Sequence, residues 1–166
     1  PKVFYFWGDV GSGRTHLLNA ALNRCPGSGI YIPLKEMQEI GQNVFDNLEI
    51  IDVVAIDDID IISGNIDLET SVFHFIDKVI LSQSKVIISG RKHPGSQGFN
   101  LSDLASRLCS GLLYKVNALD DDEKKKAIIF LSSIKGMNIK VNHLDYIFKY
   151  FKRDMKNLIG LLEQLD

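Results

Sequence analysis

The sequence lacks any apolar run that approaches the roughly 18 residues of a membrane-spanning helix, so we expect no membrane association. Only two cysteines occur, Cys25 and Cys109, without metal-ligand spacing, which favours a reduced, cytoplasmic protein. The first residues do not resemble a signal peptide. The net charge is −2, so no excess of basic residues indicates a nucleic-acid-binding surface, and we expect direct DNA binding to be weak or absent.

Apolar segments and helical segments alternate through the first two thirds of the chain. The pattern predicts strands at Val3–Trp7, 30–32, 51–56, 85–88 and 112–116, with helices at 15–22, 35–47 and 68–81. Such alternation is typical of an α/β protein, with a parallel sheet that has helices on both faces. Sheets of this kind bind ligands at the carboxyl ends of their strands.

The pattern changes after residue 117, where the sequence predicts helices at 123–135, 144–151 and 153–165 and no further strand. Asp120 and Glu123 form a capping box that starts the first of them. We therefore predict an α/β subdomain at 1–117 and a small all-helical lid at 118–166. Because the chain enters a strand at once, we expect it to be truncated at the N-terminus, and we expect the lid to be incomplete at its C-terminus.

A glycine-rich segment follows the first strand and fits the P-loop pattern G-x-x-x-x-G-[basic]-[ST] between a strand and a helix. Its glycines let backbone N–H groups face phosphates, and the helix N-terminus adds partial positive charge. Arg14 replaces the usual lysine and can fork onto phosphate oxygens. The alternative is a strand–helix turn without a ligand. The predicted nucleotide-binding residues are Gly8, Asp9, Val10, Gly11, Ser12, Gly13, Arg14, Thr15 and His16, with packing as the alternative role of His16.

Two carboxylates, Asp57 and Asp58, end the third predicted strand, as in a Walker B motif. Asp57 and the Thr15 hydroxyl are the predicted ligands of Mg²⁺. Asp58 is the predicted catalytic carboxylate that orients an attacking water. The alternative is an acidic strand end or a helix cap.

These motifs and their order resemble those of the DnaA-like AAA+ family of P-loop NTPases. The resemblance is carried by GDVGSGRTHLL at 8–18, AIDDID at 55–60, LASRL at 104–108 and KNLIG at 156–160. Within the family, Arg14 and the DLASRL segment at 103–108 are similar to the short regulatory homologues of DnaA.

The resemblance implies a protein that binds ADP or ATP with Mg²⁺ and negatively controls bacterial replication initiation. Its implied partners are DnaA and the DNA polymerase sliding clamp, the latter through an N-terminal tail that would precede Pro1, and self-association into a homo-oligomer is compatible with it. Arg107 would be a catalytic arginine finger that acts on ATP held by DnaA. The alternative for Arg107 is a surface salt bridge.

The sequence departs from the family pattern at two sensor positions. The acidic sensor 1 is absent, and either Ser89 or Arg91 would have to replace it, so we expect weak or no intrinsic ATP hydrolysis. Lys156 stands at the sensor 2 position, where the family has arginine, and Arg153 lies three residues earlier on the same helical face. The alternative is that Arg153 and Lys156 are solvated surface charges.

Two other functions remain open from the sequence alone. The chain is compatible with the AAA+ core of a DnaA-type initiator ATPase. A P-loop kinase or transferase is the third possibility, although no acceptor site is visible and the helical second part fits the AAA+ class better.

Overall fold

A computed structural model describes residues 1–37 and 39–164. The first unit of the chain ends at Asn117, and the second begins at Ala118. Five strands of the first unit form one parallel sheet in the order β2-β3-β4-β1-β5. The strands are β1 (Val3–Trp7), β2 (Gly29–Pro33), β3 (Val53–Asp57), β4 (Lys85–Gly90) and β5 (Leu112–Lys115).

Three helices of the first unit connect the strands: α1 (Arg14–Asn23), α2 (Ile66–Leu81) and α3 (Ser102–Cys109). On one face of the sheet, alternate strand residues such as Tyr5, Ile56 and Ile88 share a buried core with residues of α2 and α3. Helix α1 packs on β2, β3 and β4, and its buried Leu18 lies outside that core. The sheet thus has helices on both faces, and the predicted α/β fold class is confirmed.

A buried carboxylate connects α2 to the start of α3. Glu69 is fully buried in α2, and its two oxygens accept hydrogen bonds of 2.7 Å from the backbone N–H groups of Gly64 and Leu101. Satisfying both oxygens offsets the cost of burying the carboxylate. Because Leu101 directly precedes α3, Glu69 fixes where that helix begins.

The second unit contains the helices α4 (Asp121–Ile134), α5 (Val141–Tyr150) and α6 (Met155–Gln164). Their apolar faces form a separate core around Ile128, Leu144 and Phe148. The Asp120 side chain accepts from the Glu123 backbone, and the Glu123 side chain accepts from the Asp120 backbone, so the predicted capping box is present at the start of α4. The predicted last helix extended to Leu165, which lies outside the described residues.

The helix predicted at 35–47 is wrong. In place of a helix there are two short 3-10 turns, Leu34–Glu36 and Gln42–Phe45, with extended backbone at Met37 and Gly41 between them. Met37, Ile40 and Val44 stand at helical spacing and pack against the core, but Gly41 interrupts the segment. Glycine in a helix interior is about 1 kcal/mol less favourable than alanine, which opposes a helix there. Phe45 is buried in the core, where its ring stacks on Phe75 at 6.1 Å.

Gly8 directly follows β1 and lies against the backbone of Val116, the residue after β5. A Cβ atom at this position would overlap the carbonyl oxygen of Val116. We therefore expect Gly8→Ala to lower the free energy of unfolding by about 3 kcal/mol, because backbone rather than a flexible side chain would have to shift. Gly41→Ala is the matched control, since a Cβ there meets no atom within 4 Å and its backbone already suits alanine. Urea unfolding of both variants measures the difference, and equal stability would contradict the close approach.

Candidate functional site

The glycine-rich segment forms a tight loop between β1 and α1. Gly11 and Gly13 have φ angles of 83° and 95°, in the left-handed region that favours glycine. The N–H of Ser12 donates to the carbonyl of Asp9 at 3.2 Å, which closes the turn. Asp9 and Val10 are exposed at the tip of the loop, while Ser12 and Arg14 are buried.

Two polar groups of the loop are buried without a hydrogen bond to the described residues. Among the described residues, the Ser12 Oγ and the Arg14 Nη1 are buried and have no hydrogen-bond partner. Gly13 is the N-cap of α1, and no side chain in the described ranges caps the first turn of that helix. Buried donors and a free helix N-terminus fit the oxygens of a phosphate group, since each would otherwise be unsatisfied. The loop therefore offers the donors that a phosphate group would need.

Asp57, at the end of β3, is a buried carboxylate that accepts four hydrogen bonds. Thr15 donates to its Oδ2 at 2.6 Å, and Tyr31 donates to the same atom at 2.7 Å. The Ser89 hydroxyl and the backbone N–H of Asp58 donate to Oδ1. Burial opposes ionisation, but these hydrogen bonds outweigh it and hold the pKa of Asp57 below its ordinary value.

The predicted metal ligands are thus adjacent. The Thr15 hydroxyl and the Asp57 carboxylate are in direct contact and offer the oxygen atoms that Mg²⁺ prefers in proteins. A Mg²⁺ ion at a P-loop also takes oxygens from phosphates and water, so a protein cage of three acidic or histidine ligands is not required. Within 1–37 and 39–164 no such cage of His, Cys, Asp or Glu exists.

Asp58 is paired with the P-loop arginine. The Arg14 Nη2 lies 3.2 Å from the Asp58 Oδ1, and the two side chains are only 8% and 18% exposed. Asp58 adopts a left-handed backbone conformation, with φ of 55°, which is uncommon for residues other than glycine. Burial and the neighbouring Asp57 raise the pKa of Asp58, and Arg14 opposes that rise. The predicted water-orienting carboxylate is therefore the counter-ion of Arg14 in this structure.

The two candidates for sensor 1 have partners inside the protein. Ser89 is fully buried, and besides donating to Asp57 its hydroxyl accepts from the Asp58 N–H at 2.9 Å. The Arg91 Nε lies 3.1 Å from the Asp60 Oδ2. Ser89 therefore shapes the acidic pair at the end of β3, whereas Arg91 forms a separate ion pair beside it.

Tyr31 is a site residue that the sequence reasoning missed. It belongs to β2, where its strand partner is Ala55, and its hydroxyl reaches the carboxylate two residues further along β3. Burial and the hydrogen bond to Asp57 raise the pKa of Tyr31, which keeps the hydroxyl protonated and able to donate. The only signal in the sequence was a hydroxyl-bearing residue within the apolar strand GIYIP.

The structure places the predicted catalytic arginine outside this cluster. Arg107, on α3, has its Nε 2.7 Å from the Asp77 Oδ1 on α2. Its guanidinium also lies over the Phe73 ring, 5.6 Å from the centroid. Arg107 is therefore held at the surface of the first unit, as the salt-bridge alternative requires. His16 is exposed on α1.

The predicted sensor 2 residues belong to the second unit. The Arg153 Nε donates to the Phe148 carbonyl at 2.8 Å, and its Nη1 lies 2.8 Å from the Asp121 Oδ2. Arg153 thus connects the end of α5 to the start of α4. Lys156 lies in α6, and its side chain is outside the described part of the chain.

Comparisons with solved structures define the class of the fold. Domain III of DnaA from Thermotoga maritima is 20% identical, with a TM-score of 0.76 over 95% of this chain and 72% of that one. AMPPCP-bound DnaA from Aquifex aeolicus is 23% identical, with a TM-score of 0.73 over 96% of this chain. The chain spans about half (55%) of that DnaA structure. With its P-loop and parallel five-stranded sheet, the chain has the fold of the AAA+ P-loop NTPases, in the form found in DnaA.

A sequence relative places the chain in a family. This chain is 34% identical over 167 residues to an uncharacterised protein of Haemophilus influenzae, and the match covers 98% of this chain and 72% of that protein. The chain belongs to the same family as this Haemophilus influenzae protein. No protein-family model matches this chain.

Among the described residues, no helix is long and apolar enough to cross a membrane.

Proposed function

We propose that this chain is the nucleotide-binding module of a cytoplasmic AAA+ regulator that negatively controls bacterial replication initiation. It would stimulate hydrolysis of ATP bound to DnaA, in concert with the sliding clamp, as in Hda, the regulatory inactivator of DnaA. The observation that carries the proposal is the Arg14–Asp58 ion pair at 3.2 Å. In this pair the Asp58 carboxylate is bonded to Arg14, whereas an efficient ATPase needs a carboxylate at this position to orient water.

The proposed ligand is ADP or ATP. The unpartnered Ser12 and Arg14 donors and the N-terminus of α1 would hold the phosphates. Thr15 and Asp57 would hold Mg²⁺, which supplies positive charge next to the phosphate oxygens. Arg153 and Lys156 would be the sensor 2 residues of the lid, and the hydrogen bonds of Arg153 would keep α4 and α5 in place for that role.

The proposed chemistry occurs in trans. Arg107 would place its guanidinium at the nucleotide held by DnaA, where negative charge develops on the transferring phosphoryl group. This requires a surface arginine rather than one that faces its own P-loop. The pairing of Arg107 with Asp77 on α2 satisfies that requirement.

An initiator-type ATPase is the second candidate, favoured by the likeness to the DnaA structures. Turnover by the protein alone is the first test of the regulator proposal. We expect the complete gene product to bind ADP tightly and to hydrolyse ATP at less than about 0.01 s⁻¹, the range of P-loop GTPases that act without a partner's arginine. Single-turnover hydrolysis measures this rate. A rate of about 1 s⁻¹ or more, typical of working enzymes, would contradict the regulator proposal.

The positive test adds ATP-loaded DnaA and the clamp on DNA to the complete gene product. We expect hydrolysis of the DnaA-bound ATP to increase, and to increase only when ADP or ATP occupies the regulator. No increase with either nucleotide would contradict the proposed function even if turnover by the protein alone is slow.

A further inference from the structure

The Tyr31 hydroxyl contacts the same oxygen as the Thr15 hydroxyl. Thr15 and Tyr31 lie 2.6 and 2.7 Å from the Asp57 Oδ2, and they belong to different elements, Thr15 to α1 and Tyr31 to the edge strand β2. The Tyr31 side chain therefore connects β2 to the carboxylate at the end of β3. Neither the P-loop nor the acidic pair of the sequence motif includes it.

The other carboxylate oxygen is fixed from the opposite strand neighbour. Ser89, on β4, donates to the Asp57 Oδ1 and also accepts from the backbone N–H of Asp58. Strands β2 and β4 are the two neighbours of β3, so hydroxyls from both sides determine the plane of the Asp57 carboxylate. A carboxylate held in this way cannot rotate without losing hydrogen bonds in a partly buried site.

We propose that Tyr31 is a positioning residue for Mg²⁺: its hydroxyl orients the Asp57 carboxylate for the metal, together with Ser89. The inference rests on the proposed function, in which Asp57 and Thr15 hold Mg²⁺ beside a bound nucleotide. Groups that hydrogen-bond to metal ligands fix the direction of the ligand lone pairs, and losing one typically costs 10-fold to 100-fold in metal affinity. Tyr31 acts on the metal through Asp57 and does not touch the phosphates.

If Tyr31 has this role, loss of its hydroxyl should lower the affinity for Mg²⁺ without lowering the affinity for ADP. Tyr31→Phe removes one hydroxyl and leaves the ring in β2. We expect the apparent Mg²⁺ affinity of the ADP complex to fall about tenfold. The affinity for ADP in EDTA is expected to stay within about twofold, because the P-loop donors are unchanged. A residue that merely stabilised the fold would lower both affinities together.

The test uses the complete gene product and isothermal titration calorimetry. ADP is titrated in EDTA and in saturating MgCl₂, and MgCl₂ is then titrated into the ADP complex. Tyr114→Phe is the matched control, since the Tyr114 ring stacks on Phe6 and its hydroxyl has no hydrogen-bond partner among the residues described. Ser89→Ala is the second variant, and we expect it to weaken Mg²⁺ in the same direction as Tyr31→Phe.

The outcomes are distinguishable. Reduced Mg²⁺ affinity in Tyr31→Phe, with ADP binding in EDTA intact and Tyr114→Phe like the parent, would support the inference. Unchanged or increased Mg²⁺ affinity in Tyr31→Phe, while the parent depends on Mg²⁺, would overturn it and leave the proposed function standing. A parent protein that binds no ADP, or binds it without any effect of Mg²⁺, would overturn the proposed site and the role of Tyr31 with it.

Discussion

Replacing Arg107 by alanine is expected to abolish stimulation of DnaA-bound ATP hydrolysis while ADP binding stays within about twofold of the parent. An arginine supplied in trans to a phosphoryl-transfer site is worth about a thousandfold or more in rate, so its loss would bring hydrolysis to the level of DnaA alone. The P-loop is unaffected because Arg107 lies on α3 and bonds to α2.

Arg107 is partly exposed at the surface of the first unit. The ion pair joins the Arg107 Nε to the Asp77 Oδ1 at 2.7 Å, and the guanidinium carries two further nitrogens at its end. The side chain is 39% exposed, and the Phe73 ring supports one side of the guanidinium. The terminal nitrogens are those that form paired hydrogen bonds with phosphate oxygens.

Stability measurements distinguish a finger from a structural salt bridge. An exposed ion pair contributes about 0–1 kcal/mol, so Arg107→Ala should change the free energy of unfolding only slightly. Arg24→Ala, which removes an exposed arginine at the end of α1, is the matched control and should stimulate like the parent. Hydrolysis of labelled ATP on DnaA, with the clamp on DNA, is the measurement. Equal stimulation by Arg107→Ala and the parent would leave Arg107 as a surface salt bridge.

The framework of the fold was predictable because its signals are local. The apolar run Val3–Trp7, which precedes the glycines, gave β1 with its observed bounds, and the capping box at Asp120 placed the start of α4. Helix α3 was not predicted: it is only eight residues long and begins without a side-chain cap among the described residues. Its start depends instead on Glu69, which is 32 residues from Leu101 in the sequence.

The sequence identified several residues of the candidate site, but it did not show which of them contact one another. Thr15, Asp57 and Asp58 were identified from their spacing in known motifs, and the structure brings them together. The pairing of Arg14 with Asp58 depends on how a long side chain crosses from α1 to the end of β3, which spacing does not encode. The contact between Tyr31 and Asp57 depends on the order of strands in the sheet, which places β2 next to β3.

Replacing Arg14 by alanine is expected to weaken ADP binding about a hundredfold. Arg14 is the only basic residue of the P-loop segment 8–15, and each charge-assisted hydrogen bond to a phosphate contributes about 1.5–3 kcal/mol. Losing one of them corresponds to about tenfold to 150-fold in affinity, at 1.4 kcal/mol per tenfold. Arg14→Lys keeps the charge but not the fork, so we expect it to bind within about tenfold of the parent. Titration calorimetry with ADP measures all three proteins.

Arg14→Ala also leaves Asp58 without its counter-ion, and this second effect must be separated from the first. The pair is largely buried, so removing one partner should cost about 2 kcal/mol of stability in the nucleotide-free protein. The double variant Arg14→Ala/Asp58→Asn removes the unpaired charge, and asparagine tolerates the left-handed backbone at this position. We expect the double variant to recover most of the stability in urea unfolding but none of the ADP affinity. Recovery of both would show that Arg14 acts only through Asp58, whereas recovery of stability alone shows that Arg14 itself holds the phosphates.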